Sequence, residues 1–279
     1  MMKKLLVLAM VATIAVSASA DLVGHWEFDD GFPATTDGSG HLVGGIGGAT
    51  VGPQLGVAWS SGVIPGYDAG GVEGGAGAFS GNTGLFPNEY GTTGRFAGGA
   101  FAGQPVGASA WTYSAFVKTD STQAYQGIIS MGHQDDGSYA CLDIRGNGDL
   151  AIETWSNGGV GGHRDNVATG TALNDGEWHH VAMTYDGGVT TKLYADGVEV
   201  GALAMASAFN IGSGNQNFAI GQWVKLRLAQ YTTGRGFDGL IDDVRAYDSA
   251  LTGAEIAALP EPATMALFGL GGLFLRRRK

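Results

Sequence analysis

The chain has 279 residues, with 15 Lys and Arg against 26 Asp and Glu, for a formal net charge of −11. Six of the cations (Lys3, Lys4, Arg276, Arg277, Arg278 and Lys279) lie at the two ends, so residues 21–262 hold 9 basic against 26 acidic side chains, a net −17. A field of that sign repels DNA, RNA and anionic lipid, which excludes nucleic acid as a partner and suits a soluble extracellular protein.

Lys3 and Lys4, the apolar run Leu5 to Val16 and the small residues Ala18-Ser19-Ala20 have the layout of a secretory signal peptide. Cleavage is expected after Ala20, with Ala18 and Ala20 as the small recognised residues and Asp21 opening the mature chain. Leu22 to Phe28 then alternates as a first strand. From Asp29 to Gly70 the chain is rich in Gly, Ser, Thr and Asp, with apolar islands such as Val57-Ala58-Trp59. So long a stretch in one domain predicts short strands within it. Val72 to Gly81 reads as another strand, weakened by glycine. The chain's 50 glycines, with 7 prolines and no Gly-X-Y period, signify many tight turns.

The pattern sharpens at Trp111. Strands are predicted over Trp111 to Thr119, Gly127 to Gly132, Ser138 to Ile144 and Leu150 to Trp155. Gln134 to Gly137 forms one turn. Arg145-Gly146-Asn147-Gly148-Asp149 forms a tight connection whose Asn-Gly pair tolerates positive φ. Cys141 is the only cysteine, so no internal disulfide is possible, and its strand setting predicts a buried, inert thiol. Trp178 to Tyr185, Val189 to Ala195 and Val198 to Val200, joined by Asp186-Gly187-Gly188 and Asp196-Gly197, predict an antiparallel meander. Phe218 to Trp223 and Phe237 to Tyr247 complete the strands. Thr252 and Glu255 form a capping box, and Leu251 with Ile256 a hydrophobic staple, for a helix that Pro260 stops near Leu259.

Beyond it come Pro260-Glu261-Pro262, an apolar run from Ala263 to Leu275, and the cations Arg276, Arg277, Arg278 and Lys279. The 13-residue run, expected as a short apolar helix, falls below the roughly 20 residues that span a bilayer, so it suits transient lodging in the inner membrane. Its cationic end should stay in the cytoplasm, with the preceding chain on the far side. The order of these parts resembles the PEP-CTERM sorting signal of Gram-negative bacteria. That resemblance implies Sec-dependent export, cutting near the tripeptide by an exosortase, and release to the cell surface or beyond.

Four blocks, WTYSAFVKTD (Trp111 to Asp120), LNDGEWHHVAMTYDGG (Leu173 to Gly188), KLYADGVEVG (Lys192 to Gly201) and FDGLIDDVRAYDSALTGAEIAAL (Phe237 to Leu259), resemble the laminin-G-like domain of the concanavalin A-like lectin and glucanase superfamily. LVGHWEFDDG (Leu22 to Gly31), with Asp37-Gly38-Ser39-Gly40, is similar to the start of that family. The resemblance implies an all-β, two-sheet antiparallel jelly-roll sandwich over residues 21–259, between a signal peptide at 1–20 and a sorting signal at 260–279. Many short strands punctuated by Asp-Gly turns point to the same class independently. The resemblance further implies a structural Ca²⁺ bridging an early loop and the last strand, with Asp29, Asp37 and either Asp242 or Asp243 as ligands, since Asp- and Gly-rich loops supply the oxygens that ion needs.

Catalysis has little support in the residues. The glucanases of the superfamily use a Glu-x-Asp-x-x-Glu pattern that is absent here. Asp242 and Asp243, being adjacent, should point to opposite faces; Asp143 and Asp149 are separated by a turn, and Glu153 has no evident partner. His179-His180 should send one ring inward and one outward. Trp26, Trp111 and Trp178 are expected in the core, leaving Trp155, Trp223 and Tyr231 near glycine-rich turns to meet a sugar. The reading is thus an exported non-catalytic binding or adhesion protein for glycan or a surface protein. A glycoside hydrolase of the same fold and a purely structural matrix component are the alternatives.

Overall fold

The computed structural model describes residues 20–26, 57–59, 66–68, 76–80, 85–87, 103–133, 138–155, 163–205, 207–210, 218–221 and 235–259. The strands in chain order are β1 (Leu22–Trp26), β2 (Val57–Trp59), β3 (Gly66–Asp68), β4 (Ala76–Ser80), β5 (Leu85–Pro87), β6 (Trp111–Lys118), β7 (Tyr125–His133), β8 (Ser138–Arg145), β9 (Leu150–Trp155), β10 (His163–Ala168), β11 (Trp178–Tyr185), β12 (Thr190–Ala195), β13 (Val198–Ala204), β14 (Phe218–Ile220) and β15 (Asp238–Tyr247); helix α1 (Gly253–Ala257) follows. They form two antiparallel sheets, a jelly-roll sandwich as expected. One sheet runs β13-β12-β11-β6-β15-β4-β3 with β1 also on β15, and the other runs β10-β9-β8-β7-β14-β5-β2.

The predicted meander is present as β11, β12 and β13, and its turns show why Asp-Gly pairs were informative. Asp196 and Gly197 both take positive φ, 48° and 76°, the conformation of a type I′ hairpin turn. At the β8–β9 connection the expectation of a primed Asn-Gly turn is corrected. Gly148 N–H donates to the Arg145 carbonyl at 2.8 Å, and of the pair only Gly148 (φ 83°) is left-handed, which makes a three-residue loop with a glycine bulge. Strand β10 falls where no strand was expected, because its polar sequence carries no apolar alternation. The short strands β2 and β3 do lie inside the long Gly- and Asp-rich stretch.

Between the sheets the alternating residues Trp111, Tyr113, Ala115 and Val117 of β6 meet Ile129, Met131, Leu142, Ile144, Leu150 and Ile152 of the second sheet. Trp26 of β1 stacks on Phe218 of β14, ring centroids 5.0 Å apart, and so ties the first strand to the opposite layer. Trp178, by contrast, is half-buried: its register opposite Lys118 puts it on the outer face rather than in the core. On that face Ala182, Tyr194 and Tyr247 are covered by Leu251 and Ile256, the two staple residues flanking the N-terminus of α1. The capping box is formed as predicted: Glu255 N–H donates to Thr252 Oγ1 at 3.3 Å, and Thr252 N–H to Glu255 Oε2 at 2.7 Å.

Strand β15 organises one end of the first sheet. On one of its edges β4 pairs with Asp238 to Ile241 and β1 with Val244 to Tyr247, so these two strands lie end to end and meet beside Asp242 and Asp243. On the other edge the register against β6 skips from Asp242↔Phe116 to Arg245↔Ser114. Two residues there oppose one, and Asp243 takes φ 47°. The bulge corrects the expectation that adjacent aspartates diverge: Asp242 and Asp243 both turn away from the core, while Val244 returns to it.

Candidate functional site

The outer face of the seven-stranded sheet carries an unusual concentration of charge. In β8 and β9 the residues Ala140, Leu142, Ile144, Leu150 and Ile152 point into the core, so alternation sends Tyr139, Cys141, Asp143 and Arg145, with Ala151 and Glu153, to the opposite face. Cys141 lies across from Glu153, and Asp143 across from Ala151. On the other side of β8, Tyr125 of β7 lies across from Arg145.

The segment leading into β15 completes the face. Gly127 forms a parallel bridge with Gly236, Gly127 N–H donates to the Arg235 carbonyl at 3.0 Å, and Gln123 Nε2 donates to the Gly236 carbonyl at 2.7 Å. Anchored in this way, the Arg235 guanidinium lies 4.1 Å from the centre of the Tyr125 ring, and that of Arg145 lies 4.6 Å from it. Arg145 Nε pairs with Asp143 Oδ1 at 2.7 Å, and Arg235 Nη1 with Glu153 Oε2 at 3.3 Å. The result is a row of alternating charge around one aromatic ring, Asp143–Arg145–Tyr125–Arg235–Glu153. Its carboxylates are buried at 3 % and 5 % exposure, while Tyr125, Arg145 and Arg235 are half-buried.

Beside the row on the same face lie Tyr139 and Cys141, each 1 % exposed. Burial pushes the Cys141 thiol well above its usual range, and the neighbouring Asp143 carboxylate adds to that effect. Burial likewise raises the Tyr139 phenol. The thiol is therefore buried and inert, as its strand setting implied. Asp143 and Glu153 are diagonal neighbours, a relation that puts Cα atoms roughly 7–8 Å apart. Sequence alone found no partner for Glu153 because Arg235 lies 82 residues away. Each carboxylate has its own guanidinium, an arrangement suited to fixing hydrogen-bond acceptors and donors side by side.

The first sheet carries a second polar group, at the β15 bulge. Asp243 accepts hydrogen bonds from Arg245 (Nε to Oδ1 at 3.0 Å) and from His25 of β1, and pairs with Arg245 Nη2 through Oδ2 at 2.8 Å. Asp242 Oδ1 accepts the Asp243 N–H at 2.7 Å. A Ca²⁺ shell needs 6 to 8 oxygens. A carboxylate with a guanidinium across both oxygens and an imidazole on one does not fit as a ligand. Among the described residues no group of three or more His, Cys, Asp and Glu side chains is arranged to hold a metal. Asp29 and Asp37 lie outside the described residues, as do Trp223, Tyr231, Pro260, Glu261, Pro262 and the terminal arginines. Trp155, the last residue of β9, falls in register with Tyr139 and His163.

The paired histidines separate in character. His180 is buried on the outer face of the first sheet with its ring 4.9 Å from that of Phe116, and burial pushes its pKa down from 6.5 to about 4. His179 bridges two aspartates, Nδ1 to Asp196 at 2.9 Å and Nε2 to Asp175 at 3.1 Å, and the Asp196 hydrogen bond raises its pKa.

Residues 93–257 match the Laminin_G_3 family profile, described as the concanavalin A-like lectin/glucanases superfamily, and residues 258–279 match the PEP-CTERM protein-sorting motif. No curated protein matches the chain. Among solved structures, domain 4 of a GH43 extracellular arabinanase from Geobacillus stearothermophilus, in complex with arabinotriose, is similar at 20 % identity and a TM-score of 0.59, covering 86 % of this chain and 98 % of that one. The binding domain of Paraclostridial Mosquitocidal Protein 1 is similar at 12 % identity and a TM-score of 0.50, covering 73 % and 47 %. At these identities the likeness is one of fold.

Proposed function

The chain belongs to the concanavalin A-like lectin/glucanases superfamily and carries a PEP-CTERM sorting motif that implies exosortase processing and export; from that premise we propose that it is a non-catalytic module holding a glycan on the outer face of its seven-stranded sheet. The observation that carries this reading is the row Asp143–Arg145–Tyr125–Arg235–Glu153. The half-buried guanidiniums of Arg145 and Arg235, held in place by the buried carboxylates, offer donors to neighbouring sugar hydroxyls, and the Tyr125 ring between them offers an apolar edge. The sugar bound by the arabinanase domain of similar fold is in keeping with this. The row is charge-balanced and the surrounding domain strongly acidic, so a neutral glycan suits it better than a polyanion.

Hydrolysis is the second reading, favoured by the presence of Asp143 and Glu153 on one face. A glycosidase needs one carboxyl free to give up a proton and the other free to attack or to activate water. Here both are engaged with arginine, which supports binding over turnover. In this proposal the protein crosses the inner membrane through the Sec machinery, is held there briefly by its tail, and acts at the cell surface or in an extracellular polysaccharide layer.

The test is retention of the purified protein on a panel of neutral and uronic-acid polysaccharides, with Tyr125→Ala and Arg235→Ala alongside. Saturable retention on a neutral glycan, weakened about tenfold or more by either substitution, is the expected outcome; about 1.4 kcal/mol corresponds to that factor. New reducing ends would establish the hydrolase. Absence of both retention and cleavage would leave a structural matrix role.

A further inference from the structure

We propose that removal of the signal peptide creates an α-ammonium for which the fold holds a ready counter-ion: the Asp21 nitrogen becomes a cation seated on Asp248, closing β1 against the end of β15. Asp21 and Asp248 exchange two hydrogen bonds across 227 residues of chain. The Asp21 N–H donates to Asp248 Oδ1 at 3.0 Å, and the Asp248 N–H donates to the Asp21 carbonyl at 3.2 Å. The next residues, Leu22 and Tyr247, are already a β-pair. Ala20 rests partly buried against the cluster of Tyr194, Tyr247, Leu251 and Ile256 that α1 covers.

The bond expected to be cut, from the Ala18-Ser19-Ala20 pattern, is therefore the one whose nitrogen already faces a carboxylate. Hydrolysis by a signal peptidase adds water across the Ala20–Asp21 amide: the Ala20 carboxylate leaves with the leader, and the Asp21 amine takes up a proton. One neutral N–H donor becomes a charged group with three, at the same place, and charge-assisted hydrogen bonds are roughly twice as strong as neutral ones. A cut one residue later would delete the carbonyl that accepts from Asp248. A cut one residue earlier would carry the charge past it. The carboxylate on the nitrogen is that of Asp248, with the carboxyl of Asp21 on the same residue; Tyr247 and Tyr194 belong to the cluster beside Ala20, Arg245 interacts with Tyr247, and Glu255 of α1 is committed to Thr252. Both partners are exposed, so the effect falls on the order of the terminus and its proton affinity more than on global stability.

The experiment takes the protein exported by its own host, sequences its N-terminus, and titrates the α-amine by NMR after ¹³C reductive methylation. Asp21 is expected as the first residue, with an α-amine pKa above the ordinary range of about 7.7–8.0 by roughly half a unit or more. Asp248→Asn, and Asp248→Ser as a second replacement, should return it to that range. A different first residue, an ordinary pKa, or a raised pKa indifferent to both substitutions would overturn the proposal. None of these outcomes depends on a glycan being bound.

Discussion

Acidification should act through His180. In the fold its ring is packed against Phe116, its backbone N–H donates to Asp196 Oδ1 at 3.0 Å, and burial lowers its pKa from 6.5 to about 4, opposed by Asp243 and Asp196 and assisted by Arg245. The folded protein thus holds this histidine neutral where the unfolded chain would protonate it. Its contribution is fully present above pH 6.5, declines as the pH falls towards 4, and changes no further below that. At 1.36 kcal/mol per pH unit, the gap between 6.5 and about 4 corresponds to about 3 kcal/mol. Urea unfolding at steps from pH 7.5 to 4, on the natural chain and on His180→Phe, isolates the effect, since Phe keeps an aromatic ring against Phe116 and cannot titrate. The difference between the two stability curves should be flat above pH 6.5 and change by about 3 kcal/mol by pH 4, in the direction that favours the variant. Parallel curves would refute the assignment, because the remaining carboxylates and histidines are common to both proteins.

His179 works with the opposite sign. Its pKa is raised by Asp196 and Asp175, so its contribution is present below about pH 6.5 and lost as the pH rises through its folded value. Asp196→Asn, which tolerates the left-handed turn, should flatten stability between pH 6.5 and 8 by a few tenths of a kcal/mol, read by the same titration. Gly148→Ala would put a methyl group 2.9 Å from Ala172 Cα at φ 83°. A loss of about 2 kcal/mol or more and a Tm lower by roughly 4–8 °C are expected, and an unchanged Tm would rule out the bulge geometry. Because Arg245 and His25 occupy Asp243, a chelator is expected to leave the Tm where it is. A fall of several degrees would return Asp242 and Asp243, with Asp29 and Asp37, to a calcium shell.

What could be read from the chain was whatever is decided within a few residues. The Asp186-Gly187 and Asp196-Gly197 turns impose their own backbone angles, so β11, β12 and β13 were legible as a meander; Thr252, Glu255, Leu251 and Ile256 define a helix start that needs no distant partner. Alternation likewise marks Trp111, Tyr113, Ala115 and Val117 as a core face, but the expectation that this strand is buried mainly on one face is corrected, since Thr112, Ser114 and Phe116 on its other face are buried too. The candidate site was not legible in this way. Tyr125 and Arg145 meet only through the β7–β8 register, Arg235 reaches Glu153 only because Gly236 bridges Gly127, and the polar sequence of β10 becomes a strand only when β9 offers it an edge. Asp242 and Asp243 share a side because β6 forces a bulge where β1 and β4 abut. Local dihedral preference and hydrophobic period are properties of a short window and survive in one sequence. Register between strands far apart in the chain is settled by packing two whole layers against each other, and the charged face exists only once that register is made.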